Sequence, residues 1–144
     1  MTSTERSKAV VERLHQEVFV NENMEVVDEV VSPDYVGHHV DRDVGREQEF
    51  KQHLPAYREA FPDLEFTFDE TIAEGDMVAG RFSISGTHEN QFMGIPPTGK
   101  RFEISGQIFH RIEDGKIIES WPLRDDLGMM QQIGVVSMPE PEMA

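Results

Sequence analysis

The chain has 144 residues, no cysteine, and a formal net charge of -15 from 28 acidic against 13 basic residues. The missing cysteine excludes disulfides, thiol nucleophiles and cysteine-ligated zinc. The charge argues against nucleic acid and anionic membrane as partners. At this length a single domain with a true core is expected over residues 1–135, followed by a flexible tail at 136–144. The opening MTSTERSKAVVERL carries charges in its first turns, and no apolar run approaches a membrane span, so a cytoplasmic protein is expected. With only four lysines, the acidity suits a high-salt cytoplasm, where self-repulsion is screened; an ordinary acidic protein is the alternative.

In chain order, Thr2 and Glu5 fit a capping box, and Val10, Leu14 and Val18 recur every four residues, which predicts a first helix. A shorter second helix follows Asn23 and buries Val26, Val27, Val30 and Val31, with Ser32-Pro33 ending it. Asp34 to Gly45 has no clear period and reads as a loop or short irregular strand. A third helix runs from about Arg46 to Phe61 on the stripe Phe50, Leu54, Tyr57, Phe61, with a kink expected at Pro55. From Leu64 the period changes to two. Strands are expected up to Glu74, from Met77 to His88, from Lys100 to Glu113 and from Lys116 to Leu123. Glu74-Gly75-Asp76 and Asp114-Gly115 are the turns, and Glu89 to Gly99 is a long Pro/Gly-rich connection. A last short helix starts near Asp125 or Asp126 and carries Leu127, Met130 and Ile133. Helices first and antiparallel strands afterwards make an α+β domain.

The hairpin around Asp114-Gly115 carries the most chemistry. Counting outward from the turn sets Ile112 opposite Ile117, His110 opposite Glu119 and Ile108 opposite Trp121. The apolar face, expected to be the inner one, then holds Phe102, Ile104, Ile108, His110 and Ile112, with Ile117, Glu119, Trp121 and Leu123. Strict alternation adds Asp125 to that face and turns Arg124 away from it. A bulge at Pro122 would bring in Asp126 instead. A carboxylate in an apolar pocket has its pKa raised, which poises it as a general acid or base. The plainer reading is an exposed cross-strand pair at a sheet rim, worth under about 1 kcal/mol. His38, His39, His88 and His110 lack the spacing of a metal-binding motif, so no metal is expected. At most one of the adjacent His38 and His39 can face inward, and His39 is the preferred one. His15 and His53 read as surface or packing residues, and Tyr57 as core or pocket wall.

GTHENQFMGIPPTGKRFEISG, followed by FHRIEDGKIIESWPLRDDLGMMQQIG, resembles the SnoaL-like polyketide cyclase family of the NTF2-like (ketosteroid isomerase-like) superfamily. The likeness runs from the first helix to Gly134. It is most specific in the loop Phe92 to Lys100 and in the ending E-x-W-x-x-x-D-x-L-G, Glu119 to Gly128. It implies an NTF2-like cone, in which three N-terminal helices pack on a curved antiparallel sheet and enclose a pocket. It also implies a homodimer packed through sheet faces, a small apolar molecule as partner, and acid/base chemistry without a cofactor. Cyclases of this family remove a proton next to a carbonyl with an aspartate and close a ring by aldol condensation. Those positions match Asp125 as base and His110 as donor or relay, with His39, Tyr57, Glu119, Trp121, Phe102 and Ile108 against the substrate. Asp126 is the neighbouring choice for the base. The other function classes open to such a fold are a non-catalytic small-molecule-binding module and a hydrolase of the epoxide-hydrolase kind.

Overall fold

The computed structural model describes residues 2–137; of the tail at 136–144, all beyond Ser137 lies outside the described residues. Helix α1 (Ser3–Arg13) starts on the anticipated capping box: Thr2 Oγ1 accepts from the Glu5 amide at 3.1 Å, and Glu5 Oε2 accepts from the Thr2 amide at 3.0 Å. It continues without a break into a π-helical segment, Leu14–Val20, whose wider turn is closed by a bond from the Asn21 amide to the Gln16 carbonyl. Helix α2 (Glu25–Val30) buries Val26, Val27 and Val30. A second π-helical segment, Glu47–His53, leads into α3 (Leu54–Ala60), where Pro55 sits in the first turn and needs no intrahelical partner. The expected kink at Pro55 is thus a change from π to α winding.

Six strands form one curved, unclosed sheet in the order β2-β1-β6-β5-β4-β3. They are β1 (Val31–His38), β2 (Asp43–Gly45), β3 (Glu65–Glu74), β4 (Met77–Thr87), β5 (Arg101–Glu113) and β6 (Lys116–Arg124). Helix α4 (Asp126–Gln132) closes the described chain. The segment Asp34 to Gly45, expected as a loop or short irregular strand, is mostly strand, and β1 pairs with β6 in parallel. Its aperiodic sequence reflects its place. Tyr35 and Gly37 are buried under the helices, while Val36 and His38 face the other way. The rest of the sheet is antiparallel, so the domain is the α+β cone that the pattern of elements suggests.

The concave face carries the core. One cluster gathers the valines of α1 and α2 around Tyr35, Phe50 and Ile117; the other gathers Phe61, Phe82, Phe92, Phe102 and Ile133. Gly80 and Gly106 lie on this face in neighbouring strands, and a Cβ at either would come within 2.4 to 2.5 Å of Phe68 or Phe82. Their bare backbone lets those rings lie flat on the sheet.

The β5–β6 hairpin departs from simple counting. Ile112 does pair with Ile117, but the next pairs are Arg111 with Glu119, His110 with Ser120, Phe109 with Trp121 and Ile108 with Pro122. One residue, Ile118, is bulged out, and every later side chain on β6 changes face. The bulge has an evident electrostatic benefit. It moves the Glu119 carboxylate off an apolar face, where desolvation is costly, and sets the small hydroxyl of Ser120 there instead. No helix among the described residues is long and apolar enough to cross a membrane.

Candidate functional site

Between the helices and the concave face lies an inner chamber of about 120 Å³, and a wider vestibule of about 510 Å³ adjoins it. The two share His39, His53, Tyr57, Pro122 and Arg124, which therefore form the neck between them. Both π-helical segments face the chamber, through His15 and Phe19 on the first and Glu49, Phe50 and His53 on the second. Such segments recur at functional sites because the extra residue per turn re-aims side chains.

Two polar groups of the chamber are organised. At the neck, His39 Nε2 lies 2.6 Å from Glu49 Oε2, and both side chains are about one-fifth exposed. Deeper in, His110 Nδ1 lies 2.5 Å from Ser120 Oγ. Beside Ser120 lies the Tyr35 hydroxyl, whose ionisation is opposed first by burial and then by the charge of Glu49. Over Gly37 the Tyr35 hydroxyl and the Glu49 carboxylate converge: a Cβ there would meet them at 3.0 and 3.2 Å. His110 is buried and burial alone lowers its pKa to about 4, so its ring is neutral at pH 7. Burial also lowers His15, which packs against Phe19, Phe66 and Phe68. On the neck, the Arg124 guanidinium lies 4.9 Å from the centre of the Tyr57 ring, in cation–π contact.

The residues singled out from sequence separate into three groups. His39, Tyr57, Ile108 and His110 all line the chamber. Phe102 is buried in the second core cluster against Phe61 and is not part of the wall. Glu119, Trp121 and Asp125 lie elsewhere, and this corrects the hairpin face drawn by simple alternation. With the bulge at Ile118, Glu119 bonds His38 Nε2 at 2.9 Å and Arg111 at 3.3 Å on the convex side. Trp121 stacks on His38 there, at 5.2 Å between ring centres. Asp125 is exposed and caps α4, its Oδ1 accepting from the Gly128 amide at 2.8 Å. Asp126 lies at the vestibule, 3.5 Å from Arg124. Arg124, expected to turn away, points into the neck for the same reason that Trp121 does not.

Four wall residues escaped the sequence reading: Glu49, His53, Arg58 and Arg124. Of His15 and His53, expected as surface or packing residues, both line the chamber, and His15 packs there against Phe19, Phe66 and Phe68. The first three had a legible signal, since Glu49, Phe50, His53, Leu54, Tyr57 and Arg58 recur at the spacing of one helical face. For Arg124 there was none without the bulge. Among the described residues, no group of three or more His, Asp or Glu side chains is arranged to hold a metal ion. The four histidines weighed for that purpose disperse. His38 is convex, His39 sits at the neck, His110 lies in the chamber, and His88 is buried under the β4–β5 loop, where it accepts from the Thr98 amide.

A profile of the SnoaL-like polyketide cyclase family matches residues 9–133. Over 64 residues the sequence is 41% identical to the aklanonic acid methyl ester cyclase DnrD of Streptomyces peucetius, a stretch that makes up 42% of this chain and 41% of that relative. The match thus spans less than half of that curated relative's length. Among solved structures, IdmH of Streptomyces antibioticus, a polyketide cyclase candidate, is 31% identical with a TM-score of 0.78, covering 90% of this chain and 99% of its own. AclR of Streptomyces galilaeus, a hydroxylase candidate, is 27% identical with a TM-score of 0.82, covering 94% of this chain and 100% of its own.

Proposed function

This chain belongs to the SnoaL-like polyketide cyclase family, and we propose that it removes a proton next to a carbonyl group of a small apolar molecule bound in the chamber, as the first step of an aldol-type cyclisation or an isomerisation. The observation that carries the reading is the His39–Glu49 pair at 2.6 Å at the neck of a largely apolar cavity. With Glu49 ionised, His39 Nε2–H donates to it, and Nδ1 is left as the proton acceptor. This is the base-and-orienter logic of paired catalytic groups. An α-proton is weakly acidic, so the developing enolate needs a cationic or hydrogen-bonding partner in a site that excludes water. Arg124 across the neck, held over Tyr57, supplies that partner. His110, kept neutral by burial, is bonded to Ser120 deeper in the same chamber, next to Tyr35. Asp125 is better explained as a helix cap than as the base, because its carboxylate is exposed and bonded to the α4 backbone.

The convex face supports a second part of the proposal, a homodimer. Ile72 on β3, Phe109 on β5 and Leu123 on β6 are exposed apolar side chains on it, and Phe109 pairs with Trp121. Large apolar side chains exposed together on one face suit an interaction surface.

The test of the chemistry uses 2-tetralone, an apolar bicyclic ketone, as a probe. In deuterated buffer the protein accelerates exchange of its α-protons, followed by NMR. Glu49→Gln and His39→Gln each slow the exchange by roughly 10²- to 10⁴-fold, the usual worth of a positioned base, with the dissociation constant little changed. Full exchange activity in Glu49→Gln refutes the assignment. If every variant and the wild type bind the ketone without accelerating exchange, a non-catalytic binding module is the better reading.

A further inference from the structure

The chamber's charge runs against that of the protein around it. In a chain with 28 acidic and 13 basic residues, its wall holds two guanidiniums, Arg58 and Arg124, four of the six histidines, and one carboxylate, Glu49. That carboxylate is already engaged by His39. The two arginines meet their other acidic partners only from the solvent side: Arg58 faces Glu22 at 3.5 Å and Arg124 faces Asp126 at 3.5 Å, and both acids are more than half exposed. Such outer pairs are screened and weak, so inside the cavity the guanidinium charge is largely uncompensated.

Two polar groups sharpen the picture. His15 Nδ1 is buried with no hydrogen-bond partner on a side chain that lines the chamber, and Arg58 Nε, 3.5 Å from Glu22 Oε1, makes no hydrogen bond either. Buried polar atoms are nearly always satisfied, so the histidine nitrogen calls for an occupant. A guanidinium N–H can only donate, and its best acceptor is a charged oxygen. An apolar neutral ligand would offer the arginine of the chamber wall no acceptor.

We propose that the natural ligand is an anion, an aromatic carboxylate whose charged oxygens lie against Arg58 in the inner chamber, with its ring system passing the neck into the vestibule. The volumes suit this division. At about 120 Å³ the chamber is of the order of the roughly 150 Å³ engineered cavity that admits one benzene, so a larger ring system extends outward. The strongly negative exterior does not forbid such a ligand. It makes the cavity a place where an organic anion gains on leaving water, and it predicts that encounter quickens as salt screens the surface. The proposal rests on the functional reading above and adds one charged group to its apolar ring system; it concerns binding, so each can fail without the other.

The experiment compares 2-naphthoate with its neutral near-isostere 2-naphthamide by calorimetry at pH 8. Wild type is expected to bind the carboxylate at least about tenfold tighter, the scale of one charge-assisted hydrogen bond. Arg58→Met should remove most of that preference while leaving the affinity for 2-naphthamide within about twofold. Arg81→Gln deletes the same charge from an exposed position on β4 and should leave the preference intact. Equal affinity for the two probes in the wild type overturns the proposal. So does a preference that survives Arg58→Met, or one lost equally in Arg81→Gln, since general charge would then explain it. Should Arg58→Met fail to fold, the wild-type comparison and Arg58→Lys, which keeps the charge and loses the Nε donor, still decide. Tetralone exchange with no carboxylate preference sinks this inference alone; carboxylate preference with no exchange sinks the catalytic reading alone.

Discussion

The bulge at Ile118 makes a prediction whose sign, as well as size, can be measured. Had His110 stood opposite Glu119, the carboxylate would hold the imidazolium and raise its pKa. Stability from that pair would be present below pH 6.5 and lost as pH rose through the folded value. In the structure His110 instead meets Ser120, with Tyr35 beyond it, and burial lowers its pKa from 6.5 to about 4. Between those two values the unfolded chain holds a proton that the folded chain does not, so stability rises with pH. It is complete above about pH 6.5, falls as pH drops toward 4, and loses nothing further from this residue below that. At about 1.36 kcal/mol per unit, the full displacement is worth about 3 kcal/mol, of which about 2 kcal/mol is lost by pH 5. The perturbation is His110→Gln, which keeps a polar side chain facing Ser120 and cannot ionise. Urea unfolding of both proteins at pH 7.5 and pH 5, at fixed ionic strength, cancels the carboxylates they share. Wild type should lose about 2 kcal/mol more than the variant over that interval, or about 4 to 8 °C in thermal midpoint for a chain of this size. A difference that stays constant refutes the buried neutral imidazole. A difference of opposite sign would restore the pairing with Glu119.

Three further outcomes follow from the same geometry. Asp125→Ala should cost about 1 kcal/mol by removing the α4 cap, read by thermal unfolding, while 2-tetralone exchange stays near the wild-type rate; a collapse of exchange without loss of folding would return Asp125 to the site. Gly106→Ala should destabilise by about 1 to 3 kcal/mol or more, because its Cβ meets Phe82 at 2.5 Å and the Leu123 carbonyl at 2.7 Å, and a neutral result by urea unfolding would mean that the strands yield there. Phe109→Asp with Leu123→Asp should convert the proposed dimer to monomer by light scattering with circular dichroism unchanged; an unaltered mass would move any pairing surface elsewhere.

Much of the architecture was open to sequence reasoning because it rests on local patterns. The capping box at Thr2 and Glu5, the valine stripes of α1 and α2, the Asp114-Gly115 turn and the two-residue period of β3 to β6 each state their structure within a few residues. So does the opposition of His38 and His39, since neighbours in an extended segment point opposite ways. The recognisable run from Phe92 to Gly128 added the cone and its pocket as an expectation, and the helices and curved sheet bear out the fold.

The composition of the chamber depended on a different kind of information. One extra residue at Ile118 decides which of Glu119, Ser120, Trp121, Pro122 and Arg124 face inward, and nothing in KIIESWPLR favours that position over its neighbours. The bulge is set by what the strand meets: β1 running parallel on one side, β5 antiparallel on the other, and an apolar concave face on which a carboxylate would be desolvated. Likewise, Glu49 joins His39 only because the residue that follows β1 comes against the second π-helical segment. Sequence by itself therefore determined most of the elements, their order and the face each helix buries, since these follow from periodicities of 2 and 3.6, while β1, β2 and the π-wound turns carried no such period. Tertiary structure decided which charged groups share the cavity, because that turns on a single-residue register and on desolvation, both of which exist only once the strands are packed.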